Sequence, residues 1–310
     1  MRVGLSWEFD QSRPPADAWA AVMAEIEAAD ALGYDSAWVH ESRGDAASCP
    51  APAIFLTAAA RRANNLLLRI TGRTVNHCHP VRLAEEVAVL DLYSRGRAGV
   101  AFAAAARQGV PEDHLHETIE FVQAAWSLAE FRYRGEHLRF PAHTPAEAPP
   151  GISEPPPAED YLPQWEWGPA TPDFLAITPK PFNPRPPVFI EITGEGTLAW
   201  AARHGISPFI PAEVPHERAL ALLATYRQRL AAAGRSPAEV EPVLERWIHP
   251  GAPGDSLILG GSTRDLVVRL RAARVRAGVS HLVWRRTPAQ TGRRDQLSQF
   301  QSEVQLLLMA

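Results

Sequence analysis

The chain has 310 residues, 46% apolar and 21% charged, an ordinary globular balance that excludes a disordered chain, a coiled coil or a fibrous repeat. Its 31 basic and 35 acidic residues leave a formal charge of −4, so no basic field invites nucleic acid or an anionic membrane surface. Lys180 is the only lysine, which confines Schiff-base chemistry to that position. Two cysteines, Cys49 and Cys78, are too few for a disulfide framework and fit free thiols in a reducing compartment. The start, MRVGLSWEF, lacks the long apolar core of a signal peptide, and no stretch of about 18 apolar residues could span a bilayer. The expectation is a soluble, cytoplasmic protein.

In chain order, short apolar runs alternate with helical periodicity. Residues 2–7 predict a strand, and 17–32 a helix closed by Gly33. Residues 36–39 and 66–75 predict the next strands, with a helix over 52–63 between them that opens at Pro52. A helix from Pro80 to about 92 leads to a strand over 97–103 and a helix over 112–129. Beyond residue 188 the pattern resumes. Strands are predicted at 188–193, 207–210, 242–248 and 281–284, with helices to 204, over 216–233, 263–277 and 293–308.

Eight strands, each followed by a helix, suit one closed (β/α)₈ TIM barrel across residues 1–310. A doubly wound sheet is the alternative; against it, SWEFDQSRPP follows the first strand where a glycine-rich phosphate fingerprint would stand. An insertion over 141–178 precedes the fifth strand. Its residues 141–172 hold ten of the 29 prolines, with Tyr161, Trp165 and Trp167, and exclude a helix or central strand there. Such a segment reads either as a surface excursion or as a lid whose aromatic residues cover a pocket.

Three stretches carry a resemblance: ADALGYDSAWVHES at 29–42, HPVRLAEEVAVLDLYSRGR at 79–97 and ITPKPFNPRPPVFIEITGEGTLAWAARHG at 177–205. With RYRGEHLRF at 132–140, similar to a short hairpin, they resemble the bacterial luciferase-like monooxygenases, a family of flavin-dependent (β/α)₈ barrels. The resemblance implies reduced FMN at the C-terminal mouth of the barrel, in a dry apolar pocket, used with dioxygen to oxygenate a small organic molecule in specialised metabolism. It further implies a separate flavin reductase and a homodimer formed through helices near the second and third strands. Some relatives use the deazaflavin F420 and transfer hydride. A degenerate barrel that binds a flavin or a pathway intermediate without turning it over is a third reading.

The resemblance also assigns residues. Thr193, Gly194 and Thr197 match the turn and first helical residues that hold the flavin phosphate, and a helix N-terminus is a natural anion site. Thr197 as a plain helix cap is the simpler alternative. At the end of the fourth strand, Ala103 and Ala104 stand in the cofactor stretch, with Ala104 where many members carry a phosphate-binding Arg. His114 stands near a second such Arg, and Arg107 is the remaining cation able to reach the phosphate from this loop. Ser42 takes the place of the family's catalytic histidine, and His40, two residues earlier on the same strand face, is the candidate base or else a structural histidine. Asn76 and His77 follow the third strand as candidates for ring or substrate contact, while His79 reads as structural. The string His77-Cys78-His79 lacks the partners of a metal site, so none is assigned.

Overall fold

The structure, a computed structural model, describes residues 1–42, 47–140 and 174–309; most of the proline-rich insertion, and with it the lid question, lies outside the described residues. The strands are β1 (Arg2–Trp7), β2 (Ser36–His40), β3 (Leu67–Arg73), β4 (Ala98–Phe102), β5 (Tyr133–Arg134), β6 (Arg139–Phe140), β7 (Val188–Glu191), β8 (Ser207–Ile210), β9 (Val243–Pro250), β10 (Ile258–Gly261) and β11 (His281–Arg286). The helices are α1 (Pro15–Leu32), α2 (Pro52–Ala59), α3 (Pro80–Ser94), α4 (Ala105–Gln108), α5 (Glu112–Ser127), α6 (Gly196–His204), α7 (His216–Ala232), α8 (Thr263–Ala277), α9 (Arg294–Phe300) and α10 (Leu306–Met309).

Strands β1, β2, β3, β4, β7, β8, β9 and β11 pair in parallel in that circular order, and the β8–β9 and β11–β1 pairings close the barrel. The predicted TIM barrel is therefore present, with β7 as its fifth strand. The β5–β6 hairpin stands where the motif at 132–140 placed one. Strand β10, which pairs on the edge of β9, was not anticipated. Its sequence is ILGG, and two glycines in four residues remove the side-chain signal a strand prediction needs. No helix among the described residues is long and apolar enough to cross a membrane.

Inside the barrel the side chains form layers, because alternate residues of each strand face inward. The middle layer is an apolar plug of Trp38, Ala101, Phe189, Phe209, Val243 and Val283, all fully buried. Trp38 packs edge-on to Phe189 with ring centroids 5.3 Å apart. Below it the close approach of Arg69 requires glycine at 99, since a Cβ there would meet its guanidinium at 2.3 Å.

The lower end is closed by a polar chain. Trp38 Nε1 donates to Ser36 Oγ at 2.7 Å, and His281 joins Ser36 Oγ and Glu241 Oε1, each at 2.8 Å. Glu241 accepts, so His281 Nδ1 carries a proton. The order Ser–His–Glu resembles a hydrolytic triad, yet Ser36 and His281 are 0% exposed at the N-terminal end of the barrel, where barrel residues serve stability. Burial works against the charge on Glu241, but the hydrogen bond and charge of His281 and the guanidinium of Arg2 hold its carboxyl down at about 2. Its contribution is therefore complete above the ordinary value of 4.5 and is lost as pH falls towards about 2. Urea midpoints measured across that window should fall less steeply for Glu241→Gln than for the wild type; equal slopes would remove Glu241 from this role.

Candidate active site

The mouth lies at the C-terminal ends of the strands. Two residues above the plug positions on β2, β4, β7, β9 and β11 stand His40, Ala103, Glu191, Glu245 and Arg285, which strand alternation turns inward. Thr71 pairs in register with His40. Among the described residues the floor of the mouth is thus polar and rich in carboxylates, where the resemblance implies an apolar pocket for the flavin ring.

Three charge groups hold this floor. On the β2–β3 side, buried Arg73 donates Nη1 to Glu41 Oε2 at 2.7 Å and Nη2 to Glu86 Oε2 at 2.9 Å, tying the end of β3 to the residue after β2 and to α3. On the opposite side, Arg285 meets Glu213 at 2.6 Å, Glu8 at 3.0 Å and Glu245 at 3.7 Å. Glu245 also accepts from Ser6 Oγ at 2.7 Å and from Ala212 N. Burial, with Arg285 opposing and Glu213 reinforcing it, raises the Glu245 carboxyl, whereas at Glu213 burial is overcome by the charge of Arg285 together with hydrogen bonds, and the carboxyl is lowered.

The third group is Glu191 with Arg107. Glu191 Oε2 accepts from Arg107 Nη1 at 3.1 Å and Ala104 N at 3.3 Å, while Oε1 is buried without a hydrogen-bond partner. Burial pushes its carboxyl up to about 7, against the pull of Arg107 and the Ala104 N–H and with the help of Glu213 and Glu245. Sequence reasoning missed this residue. A signal for it was present in VFIEIT, where a glutamate interrupts an apolar strand two residues after Phe189.

Between the β2, β3 and β4 loops is a cavity of about 200 Å³ that brings together His40, Ser42, Asn76, His77, Ala103 and Arg107. Asn76 is fixed there by donating Nδ2 to Gln108 O at 2.9 Å. This volume lies below the roughly 300–1,000 Å³ of a typical ligand pocket, so it suits a reacting group more than a whole cofactor. A larger cleft of about 660 Å³, lined by Arg2, Arg185 and Glu241, opens at the N-terminal end, away from the face where barrel chemistry sits. His79 is structural, as expected: it caps α3 by accepting from Val81 N and packs on Phe140. Cys49 and Cys78 are free thiols.

The anticipated phosphate turn runs from Thr193 into α6. Gly194 has open space where a Cβ would point, the helix start has no side-chain cap, and Thr197 is buried in the first turn. Backbone donors at such a start attract an anion. An acidic group already stands there. A Cβ at Gly196 would meet Glu112 Oε1 at 2.3 Å, so the Glu112 carboxylate lies against the first residue of α6. His114 instead stacks on His137, and Arg107 is engaged by Glu191. The turn therefore fits a phosphate through its backbone, provided the flexible Glu112 side chain swings aside.

Three solved structures share this architecture. The monooxygenase RslO1 from Streptomyces bottropensis superposes with a TM-score of 0.76 at 16% identity, over 99% of each chain. The oxygenating constituent of 3,6-diketocamphane monooxygenase from the CAM plasmid of Pseudomonas putida, in complex with FMN, gives 0.73 at 14% identity, over 99% of this chain and 98% of that one. The coenzyme F420-dependent tetrahydromethanopterin reductase from Methanopyrus kandleri gives 0.71 at 13% identity, over 99% of each. No curated protein matches the sequence. The sequence profile of one family, luciferase-like monooxygenase, matches residues 1–257, extending beyond the motifs at 29–205 through β8 and β9. The barrel, its mouth and this match together place the chain in the luciferase-like monooxygenase family.

Proposed function

We propose that this chain is a monooxygenase that uses reduced FMN and dioxygen to oxygenate a small organic molecule, the reduced flavin being supplied by a separate reductase. The observation that carries the proposal is the open glycine turn at the start of α6, set beside the mouth of a barrel of this family. Bound there, reduced FMN supplies the activation of dioxygen for oxygen transfer. The chain's own residues do the rest. Thr193, Gly194 and Thr197 hold the phosphate, Asn76 and His77 border the reacting group, and His40 is the base or acid at the floor. Exposed Ile54 on α2 and Tyr93 on α3 support pairing of two copies through these helices.

Anaerobic titration of the purified protein with reduced FMN and, separately, reduced F420, followed by calorimetry, tests the proposal. Micromolar binding of reduced FMN is expected. Binding of reduced F420 alone would make the protein a hydride-transferring oxidoreductase, and binding of neither would leave a barrel without a flavin.

The Glu112 carboxylate provides a sharper check of the turn. Glu112→Gln is expected to tighten FMN about twofold to fivefold, corresponding to the 0.3–1 kcal/mol a charge contributes at a helix terminus. Riboflavin, which lacks the phosphate, should gain nothing. An equal gain for both ligands would place the phosphate elsewhere.

A further inference from the structure

We infer that Glu191 is the recognition group for a cationic substrate: its unpartnered carboxylate oxygen accepts a hydrogen bond from a protonated amine that enters the mouth beside Arg107. The inference rests on the proposed reading of the mouth as the substrate site and names the class of substrate it takes.

The geometry divides the two oxygens of Glu191. Oε2 is fixed by Arg107 Nη1 and by the Ala104 backbone N–H, which sets the direction of Oε1. Oε1 is fully buried and without a partner among the described residues, and the side chain as a whole is 0% exposed. A buried carboxylate oxygen left unpaired is costly, and native structures retain such groups where function supplies the partner. Thr71 Oγ1, in register with His40, is a second buried and unpartnered polar atom of this layer. Arg107, the ion-pair partner of Glu191, lines the cavity with its side chain 39% exposed, so a ligand in the cavity stands one side chain away from Glu191.

Charge selects a cation over a neutral donor. Glu191 and Glu245 on β7 and β9, with Glu8 just after β1 and Glu213 in the segment after β8, gather at the mouth, and Arg107 and Arg285 face them. With Glu41 and Glu86, which share Arg73 on the β2–β3 side, six carboxylates meet three guanidiniums. Arg246, on β9, is turned the other way, towards Pro211 O and His216 Nδ1. An arriving ammonium group donates to Oε1 while Arg107 keeps Oε2, so both oxygens of Glu191 are satisfied and the acid excess falls. Ala103 lines the same cavity, and Ala104, whose N–H bonds Glu191, follows it.

The test uses the full-length, flavin-free protein labelled with ¹³Cδ-glutamate, titrated by NMR from acid to alkaline pH. The Glu191 resonance is assigned by its loss in Glu191→Gln. It should titrate near neutrality, and its midpoint should fall by about 1–3 pH units with saturating n-butylammonium chloride, as an added opposite charge within hydrogen-bond reach requires. Sodium chloride at the same ionic strength and n-butanol should leave it in place. Should Glu191→Gln not fold, Arg107→Gln makes the assignment instead, by moving the same midpoint upward. An unchanged midpoint with n-butylammonium, or an equal response to n-butanol, would overturn the inference. Because no flavin and no turnover enter the measurement, its failure is separate from failure of the flavin titration.

Discussion

Replacing Glu25 with alanine is expected to destabilise the barrel by about 3–5 kcal/mol, a large share of the roughly 5–15 kcal/mol that holds a folded protein together. Glu25 lies on α1 and is 1% exposed, and three donors converge on it. Oε1 accepts from Arg286 Nη2 at 3.1 Å and Gly292 N at 2.6 Å, and Oε2 from Trp7 Nε1 at 2.7 Å. These contacts tie the first and last barrel strands to α1 and to the loop before α9. Arg286 is itself 0% exposed. Truncating Glu25 leaves a buried guanidinium without its counter-charge and two N–H groups without acceptors, and this accounts for the magnitude. The pair Glu25→Leu and Arg286→Met should recover part of the loss, because an apolar replacement of both charges removes the uncompensated one. Urea unfolding of the two single variants and the double one measures the coupling. A Glu25→Ala loss below about 1 kcal/mol, or additive losses in the double variant, would show that the ion pair does not act as described.

The alternation of strands and helices was legible because parallel barrel strands are apolar on both faces and helices carry their own start and stop residues. Gly33 and Gly205 end their helices in the left-handed conformation, and Pro52 and Pro80 open theirs. The phosphate turn was legible for the same local reason, since it is contiguous in sequence. What escaped was everything assembled across strands. Glu191, Glu245 and Arg285 come from β7, β9 and β11, and their meeting depends on closure and register, which a linear pattern does not carry. Arg107 was singled out for a phosphate by its place in the chain. Its partner proved to be a carboxylate 84 residues away that no local motif announces. Glu112 escaped likewise, because it reaches the α6 turn from α5, on the far side of the insertion.

With reduced FMN and a substrate that is turned over, His40→Ala is expected to lower kcat by about 10²–10⁴-fold, the usual worth of a positioned acid or base, while flavin affinity stays within about twofold. The ring lies on the mouth floor, one inward position above Trp38, and its place is set by the backbone of β3. Gly72 has a φ of +69°, and a Cβ there would come within 2.3 Å of His40 Cε1 and 2.6 Å of Nδ1. Gly72→Ala must therefore both strain the backbone, by about 1–2 kcal/mol, and displace the imidazole. A structural role for His40 and a chemical one separate on three readouts. In the chemical case His40→Ala removes one limb of the pH profile of kcat and added imidazole restores part of the rate. Gly72→Ala then lowers kcat far more than its loss of stability explains. In the structural case all three variables follow the unfolding midpoint, and a full kcat in well-folded His40→Ala would return the search for the acid or base to His77.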